Sequence, residues 1–92
     1  MYVYILRSLG RAGELYVGVT SNLSQRVDYH NAGKCPHTSK FRPWGVVYTE
    51  HFEEQVDAFK RERQIKKWSR AKKEALIVGN VGELKRLAKR WG

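Results

Sequence analysis

Residues 2–7 (YVYILR) and 14–20 (ELYVGVT) decide the fold. Both runs are rich in β-branched and aromatic residues, and the SLGRAG between them carries two glycines. They predict a β-hairpin whose loop is longer than two residues. Side chains alternate along a strand. Tyr2, Tyr4 and Leu6 therefore share one face of the first strand, with Val3 and Ile5 on the other. On the second strand Leu15, Val17 and Val19 oppose Glu14, Tyr16, Gly18 and Thr20. Pairing the two aliphatic sets brings Tyr4 and Tyr16 together on the less aliphatic face.

Outward from the hairpin, Ser21 or Asn22 can cap a helix running to about Asn31, with Gly33 placed to end it. Arg26 and His30 are four residues apart and project from one side of that helix. Residues 34–43 (KCPHTSKFRP) hold two prolines and no periodicity, and read as a loop. Residues 44–52 (WGVVYTEHF) read as a third strand, Glu53 to Trp68 as a helix, and Ser69 as the cap of another helix to about Val78. A final amphipathic helix over 81–91 carries Leu84, Leu87 and Trp91 on one stripe. The expected architecture is a single α/β (α+β) domain over 1–92, with a three-stranded antiparallel sheet flanked by helices.

At 92 residues the chain should bury only roughly 60–65% of the surface it exposes when unfolded. An interdomain catalytic cleft is excluded on that size. No apolar run approaches the ~20 residues of a membrane span, and MYVYILRS lacks a signal-peptide pattern. The one cysteine, Cys35, excludes an internal disulfide and suits a reducing cytoplasm. His37 and His51, near Cys35 and Glu50, complete no four-ligand zinc set.

Charge is the stronger signal. Eighteen Lys+Arg against nine Asp+Glu leave a net +9, the field expected of a protein with a polyanionic partner such as nucleic acid. Eight of the bases fall between Lys60 and Lys73, with Glu62 as the only acid among them. Glu62 is also misplaced by polarity, because it lies on the stripe marked by Ala58, Phe59 and Ile65 that should pack inward. A carboxylate there needs an ion pair, hydrogen bonds or a metal, since burying it alone is costly.

The ordered set of these features resembles the GIY-YIG nuclease family. Tyr2-Val3-Tyr4 resembles the first signature triplet, and Tyr16-Val17-Gly18 is similar to the second, Tyr-Ile-Gly. Arg26 sits eight residues beyond Gly18, where the family carries its arginine, and His30 follows one helical turn later. Glu62 falls where the family places its metal-binding glutamate. Its context, ERQIKKWSRAKKEALI, is similar to small single-domain bacterial members, which themselves resemble the N-terminal nuclease domain of the excision-repair excinuclease. Residues 2 to about 78 are covered. Two departures stand out: Tyr2 replaces the opening glycine, and the asparagine many members carry after the glutamate has no clear counterpart.

The resemblance implies hydrolysis of phosphodiester bonds with one Mg²⁺ or Mn²⁺ ion, in DNA ahead of RNA, although the residues themselves do not choose between the two. Glu62 would be the protein ligand of that ion, which suits a cation that keeps several waters. Arg26 would face the scissile phosphate, and Tyr4 would hold substrate or hydroxide. Tyr16 or His30 would activate the water; an ordinary tyrosine pKa of ~10 is far from neutral, whereas that of histidine is ~6.5. Without the family, cross-strand packing is the favoured reading of Tyr4 and Tyr16. Lys40, Arg42, Lys66, Lys67, Arg70, Lys72 and Lys73 would grip backbone phosphates, with Phe41, Trp44 and Trp68 available for base stacking or for the core. Lacking a recognition domain, such an enzyme should select by structure rather than by sequence. A non-catalytic nucleic-acid-binding module on the same scaffold is the alternative, and the 81–91 helix could dock a protein partner.

Overall fold

In the computed structural model, which describes residues 1–10 and 13–79, the hairpin forms the heart of the molecule. Strand β1 (Tyr2–Ser8) is central, with β2 (Leu15–Thr20) and β3 (Trp44–His51) antiparallel on either side, in the order β2-β1-β3. Helices α1 (Leu23–Asn31) and α2 (Pro36–Ser39) lie between β2 and β3 in the chain, and α3 (Gln55–Lys66) and α4 (Arg70–Ile77) follow β3. The expected α+β class and three-stranded sheet are both present. The 81–91 helix, with Leu84, Leu87 and Trp91, lies outside the described residues. No described helix is long and apolar enough to cross a membrane.

The period-two sorting holds on both faces. Val3, Ile5 and Val17 pack with Ala58 and Ile65 of α3 and Leu76 of α4, while Leu15 and Val19 fill in beside them. Tyr4, Leu6 and Trp44 pack on the opposite face with Tyr16, Leu23, Val27 and Phe41. Because β1 is covered on both sides, it reads as a continuous apolar run, and Val3, Ile5 and Leu6 are wholly buried. The helices are therefore segregated, α3 and α4 over one face and α1 with α2 over the other.

Local chemistry sets the ends of the elements. The Asn22 side chain accepts from the Gln25 amide at 3.1 Å and the Ser69 hydroxyl from the Lys72 amide at 3.2 Å, capping α1 and α4 as expected. Gly33, at φ +76°, closes α1 in the left-handed region, and the Arg42 guanidinium packs where its side chain would be. Three expectations need correction. The 34–43 segment is not all loop, since Pro36 opens the one-turn helix α2. Helix α3 is shorter at both ends than Glu53 to Trp68. Phe59 does not pack inward: it is 42% exposed, while Ala58 and Ile65 take the core.

One ion pair ties the last described helix to the sheet. Arg7 Nη1 and Nη2 donate to the two oxygens of Glu74 at 2.9 and 2.5 Å, and Arg70 donates to Gly13 O at 2.7 Å and Glu74 at 3.4 Å. Arg7, followed by burial acting the other way, holds the Glu74 carboxyl below its ordinary 4.5. A carboxyl depressed in the folded state adds stability above its unfolded pKa and loses it as pH falls through the folded value. The pair is about a third exposed, so solvent screening limits it to about 1 kcal/mol. Glu74→Gln should accordingly lower Tm by about 4–8 °C at pH 7 and by progressively less below pH 4.5, as thermal unfolding across pH will show.

Candidate active site at the β2 edge

Tyr4 and Gly18 are cross-strand partners, and their pairing builds the site. A Cβ on Gly18 would sit 2.5 Å from the Tyr4 hydroxyl, so only glycine lets the Tyr4 ring lie across β2. This is the physical content of the glycine in Tyr16-Val17-Gly18. Tyr4 is 2% exposed, and its hydroxyl meets His30 Nε2 at 3.1 Å. His30 Nδ1 in turn meets Thr38 Oγ1 at 2.9 Å, and the Thr38 hydroxyl reaches Cys35 O at 3.4 Å. Burial, reinforced by Arg26, lowers the His30 pKa and favours the neutral ring. The partners then assign the protons: Thr38 donates to Cys35 O, His30 Nδ1–H donates to Thr38, and Tyr4 donates to Nε2.

His30 is thus sealed, with both nitrogens occupied and 1% of its surface exposed. The short α2 provides its second partner. Thr38 is fixed from behind by Trp44, whose indole donates to Thr38 O at 2.9 Å, and Asn31 exchanges hydrogen bonds with the Trp44 backbone at 2.6 and 3.1 Å. Trp44 is core, and Phe41 packs against it at 6.3 Å.

Tyr16 occupies the open side. Its ring centroid lies 4.8 Å from that of His30 and 6.3 Å from that of Tyr4, and it lines a cleft of about 410 Å³ with Leu15, Val17, His37, Lys66 and Lys73. Burial raises the pKa of both tyrosines; Glu62 raises them further and Arg26 opposes it. Four side chains from β1, β2, α1 and α3 therefore share one electrostatic neighbourhood. The Arg26 guanidinium lies 5.2 Å from the Tyr29 ring centroid, a stacked arrangement that restricts its orientation.

Glu62 reaches this region past the β2 edge. Its side chain is 17% exposed and pairs with Lys66 Nζ at 3.5 Å, and Lys66 in turn lines the Tyr16 cleft. Among the described residues no cluster of three or more His, Cys, Asp or Glu side chains could hold a metal. A single carboxylate fits a hard, water-retaining cation such as Mg²⁺ or Mn²⁺ and does not fit zinc.

The basic residues divide rather than forming one face. Lys66 and Lys73 line the Tyr16 cleft. Lys67 joins Lys60, Arg63, Gln64 and Trp68 around a separate groove of about 450 Å³. Lys72 and Arg61 each sit 5.1 Å from the Trp68 ring centroid, occupying that ring with cations of the chain itself. Arg70 is engaged by Gly13 and Glu74, and Arg42 donates to Ser39 O at 3.0 Å beneath Gly33. Lys40 is exposed between α2 and β3. Cys35, His37 and Thr38 carry no mark of a site in the sequence. His37 faces Tyr16 at 6.4 Å between ring centroids, a meeting made by tertiary folding that no local spacing announces.

The fold and the cluster define a small basic α+β domain whose ionisable groups converge at one sheet edge. The family model described as the GIY-YIG catalytic domain matches residues 1–75, and the chain belongs to that family of nuclease domains. It is 40% identical over 82 residues to a UPF0213 protein of Natronomonas pharaonis, spanning 88% of this chain and 94% of that one. A UPF0213 protein of Syntrophus aciditrophicus is 42% identical over 81 residues, spanning 86% and 91%. The solution NMR structure of a UPF0213 protein from Bacillus halodurans superposes with a TM-score of 0.55 at 34% identity, covering 88% of this chain and 85% of the other.

The buried Tyr4–His30 bond should be visible energetically. His30→Ala leaves the Tyr4 hydroxyl without its partner, and Tyr4→Phe leaves His30 Nε2 without its own. Each should destabilise by about 1–3 kcal/mol. The double variant should cost less than the sum by at least ~0.5 kcal/mol in urea unfolding, and additivity would mean that the two side chains do not interact.

Proposed function

We propose that the protein is a divalent-metal-dependent endonuclease that hydrolyses phosphodiester bonds in DNA and selects by structure rather than sequence. The observation that carries this is the cleft in which Tyr16 stands with Lys66 and Lys73, Lys66 being paired to Glu62, with Tyr4 buried beside Tyr16 and the charges of Glu62 and Arg26 felt by both tyrosines. Family membership and the net +9 charge support the same partner.

Glu62 is the residue to hold the Mg²⁺ or Mn²⁺ ion. Bound there, the ion supplies positive charge to the phosphate and makes a coordinated water more acidic. Lys66 must then exchange its partner, moving from Glu62 to the phosphate backbone. Arg26 offers a planar fork of donors to the non-bridging oxygens, where charge accumulates as the bond breaks. Lys73 grips the strand on the far side of the Tyr16 cleft. Tyr4, buried with its proton directed to His30, supports the Tyr16 side of the cleft from within.

The choice of base follows from access. His30 has no free nitrogen and almost no exposed surface, so its role is to position Tyr4. Tyr16 lines the cleft and can receive a proton from water. Its pKa is raised by burial and lowered by Arg26, so the phenolate would need further cation charge, brought to Glu62, to form. A base must be deprotonated to act, and the rate should therefore climb with pH above neutrality.

The test is single-turnover nicking of flapped and linear duplex DNA in Mg²⁺ or Mn²⁺. Tyr16→Phe should lose about 10²- to 10⁴-fold, whereas His30→Ala should lose less and keep the wild-type pH profile. A limb below pH ~6.5, on the lowered side of histidine's ordinary value, that vanishes in His30→Ala would make His30 the base. DNA binding without cleavage under any divalent metal would leave a binding module.

A further inference from the structure

Of the aromatic residues among the basic ones, Trp44 and Phe41 are tied into the core and Trp68 is flanked by Arg61 and Lys72. Each of the three already has a partner within the chain. Phe59 is the reverse case. The period of α3 leaves it on the rim rather than under the sheet, 42% exposed, and it belongs to neither apolar cluster. Val56, one turn earlier, is 58% exposed.

The surroundings of Phe59 give it a partner. At 3.6 residues per turn, Phe59 is about 60° around α3 from Glu62, about 20° from Lys66 and about 40° from Arg63. Lys60 and Lys67 continue the same outer side. An exposed phenyl ring thus stands next to the Glu62–Lys66 pair, with cations along its far side. A hydrophobic protein segment would leave those cations facing apolar surface. A polyanion that also offers a flat apolar face satisfies both features, and an unpaired nucleotide is that ligand.

We propose that Phe59 is a base-stacking platform that receives an unpaired nucleotide at a single-strand–duplex junction, while Arg63, Lys66 and Lys67 hold the flanking phosphates. Phe59 thereby sets which DNA structures are presented to the Glu62 edge. This rests on the nucleic-acid reading above, and supplies the physical source of its selectivity. A paired base, stacked inside its duplex, has no face to offer the ring. The discrimination is against intact helix and is indifferent to sequence.

The probe is equilibrium binding without divalent metal, so that cleavage plays no part, of a fluorescent flapped duplex and a linear duplex of equal length. A second flap carries 2-aminopurine at its first unpaired position. The wild type should prefer the flap by roughly tenfold or more and change the 2-aminopurine emission on binding. Phe59→Ala should lose that preference while keeping linear-duplex affinity within about twofold, and Phe59→Trp should retain it. Equal loss on both substrates, no loss, or no wild-type preference would overturn the proposal. Sedimentation of the wild type as a dimer and of Phe59→Ala as a monomer would also overturn it, by assigning the ring to a second copy of the chain. Absence of all DNA binding would instead remove the nuclease reading itself.

Discussion

The whole site hangs on one close approach, the Tyr4 ring lying over Gly18. Without a side chain on β2 at that point, the ring can cross the strand and bring its hydroxyl to His30. That bond crosses between β1 and α1 and fixes the helix that also carries Arg26. The chain continues through Thr38 to the one-turn α2, which Trp44 clamps from β3. A single buried polar line therefore links β1, α1, α2 and β3 on this face. Since no described buried side-chain polar atom lacks a partner, the line is internally satisfied and rigid.

The other face supplies the carboxylate. Apolar packing of Ala58 and Ile65 against Val3, Ile5 and Val17 sets α3 on β1 and β2, so that Glu62 emerges at the β2 edge. Two cores on opposite faces of one sheet thus deliver their polar residues to the same border. The arrangement explains how so small a domain assembles a cleft without a second domain to close it. It also separates environments: Tyr4, His30 and Thr38 under α1 and α2 are sealed, while Lys66 at the border is open.

Much of this is legible in the residues. Period-two alternation places Tyr4 with Tyr16, and side-chain caps at Asn22 and Ser69 mark two helix starts, because those signals are local. The polar misfit of Glu62 on an apolar stripe is equally local and locates the edge. What stays hidden is tertiary. Nothing in KCPHTSKFRP announces that Thr38 is the partner of His30, or that His37 meets Tyr16. Phe59 departs from its expected place because a helical stripe says which residues are near the core, and not where the sheet beneath them ends. The basic run from Lys60 to Lys73 looks like one surface, yet a helix disperses consecutive cations around its axis, and several are taken by Glu74, Glu50 and Trp68.

The central claim is that Glu62 serves a metal at the edge where the tyrosines and Arg26 converge. Glu62→Gln keeps the size of the side chain and removes the charge that a divalent cation requires. Single-turnover cleavage of a flapped duplex in Mg²⁺, measured together with DNA affinity, separates the possibilities. The account predicts that cleavage is abolished while affinity stays within a few-fold of wild type. A Glu62→Gln protein that cuts at the wild-type rate would contradict it.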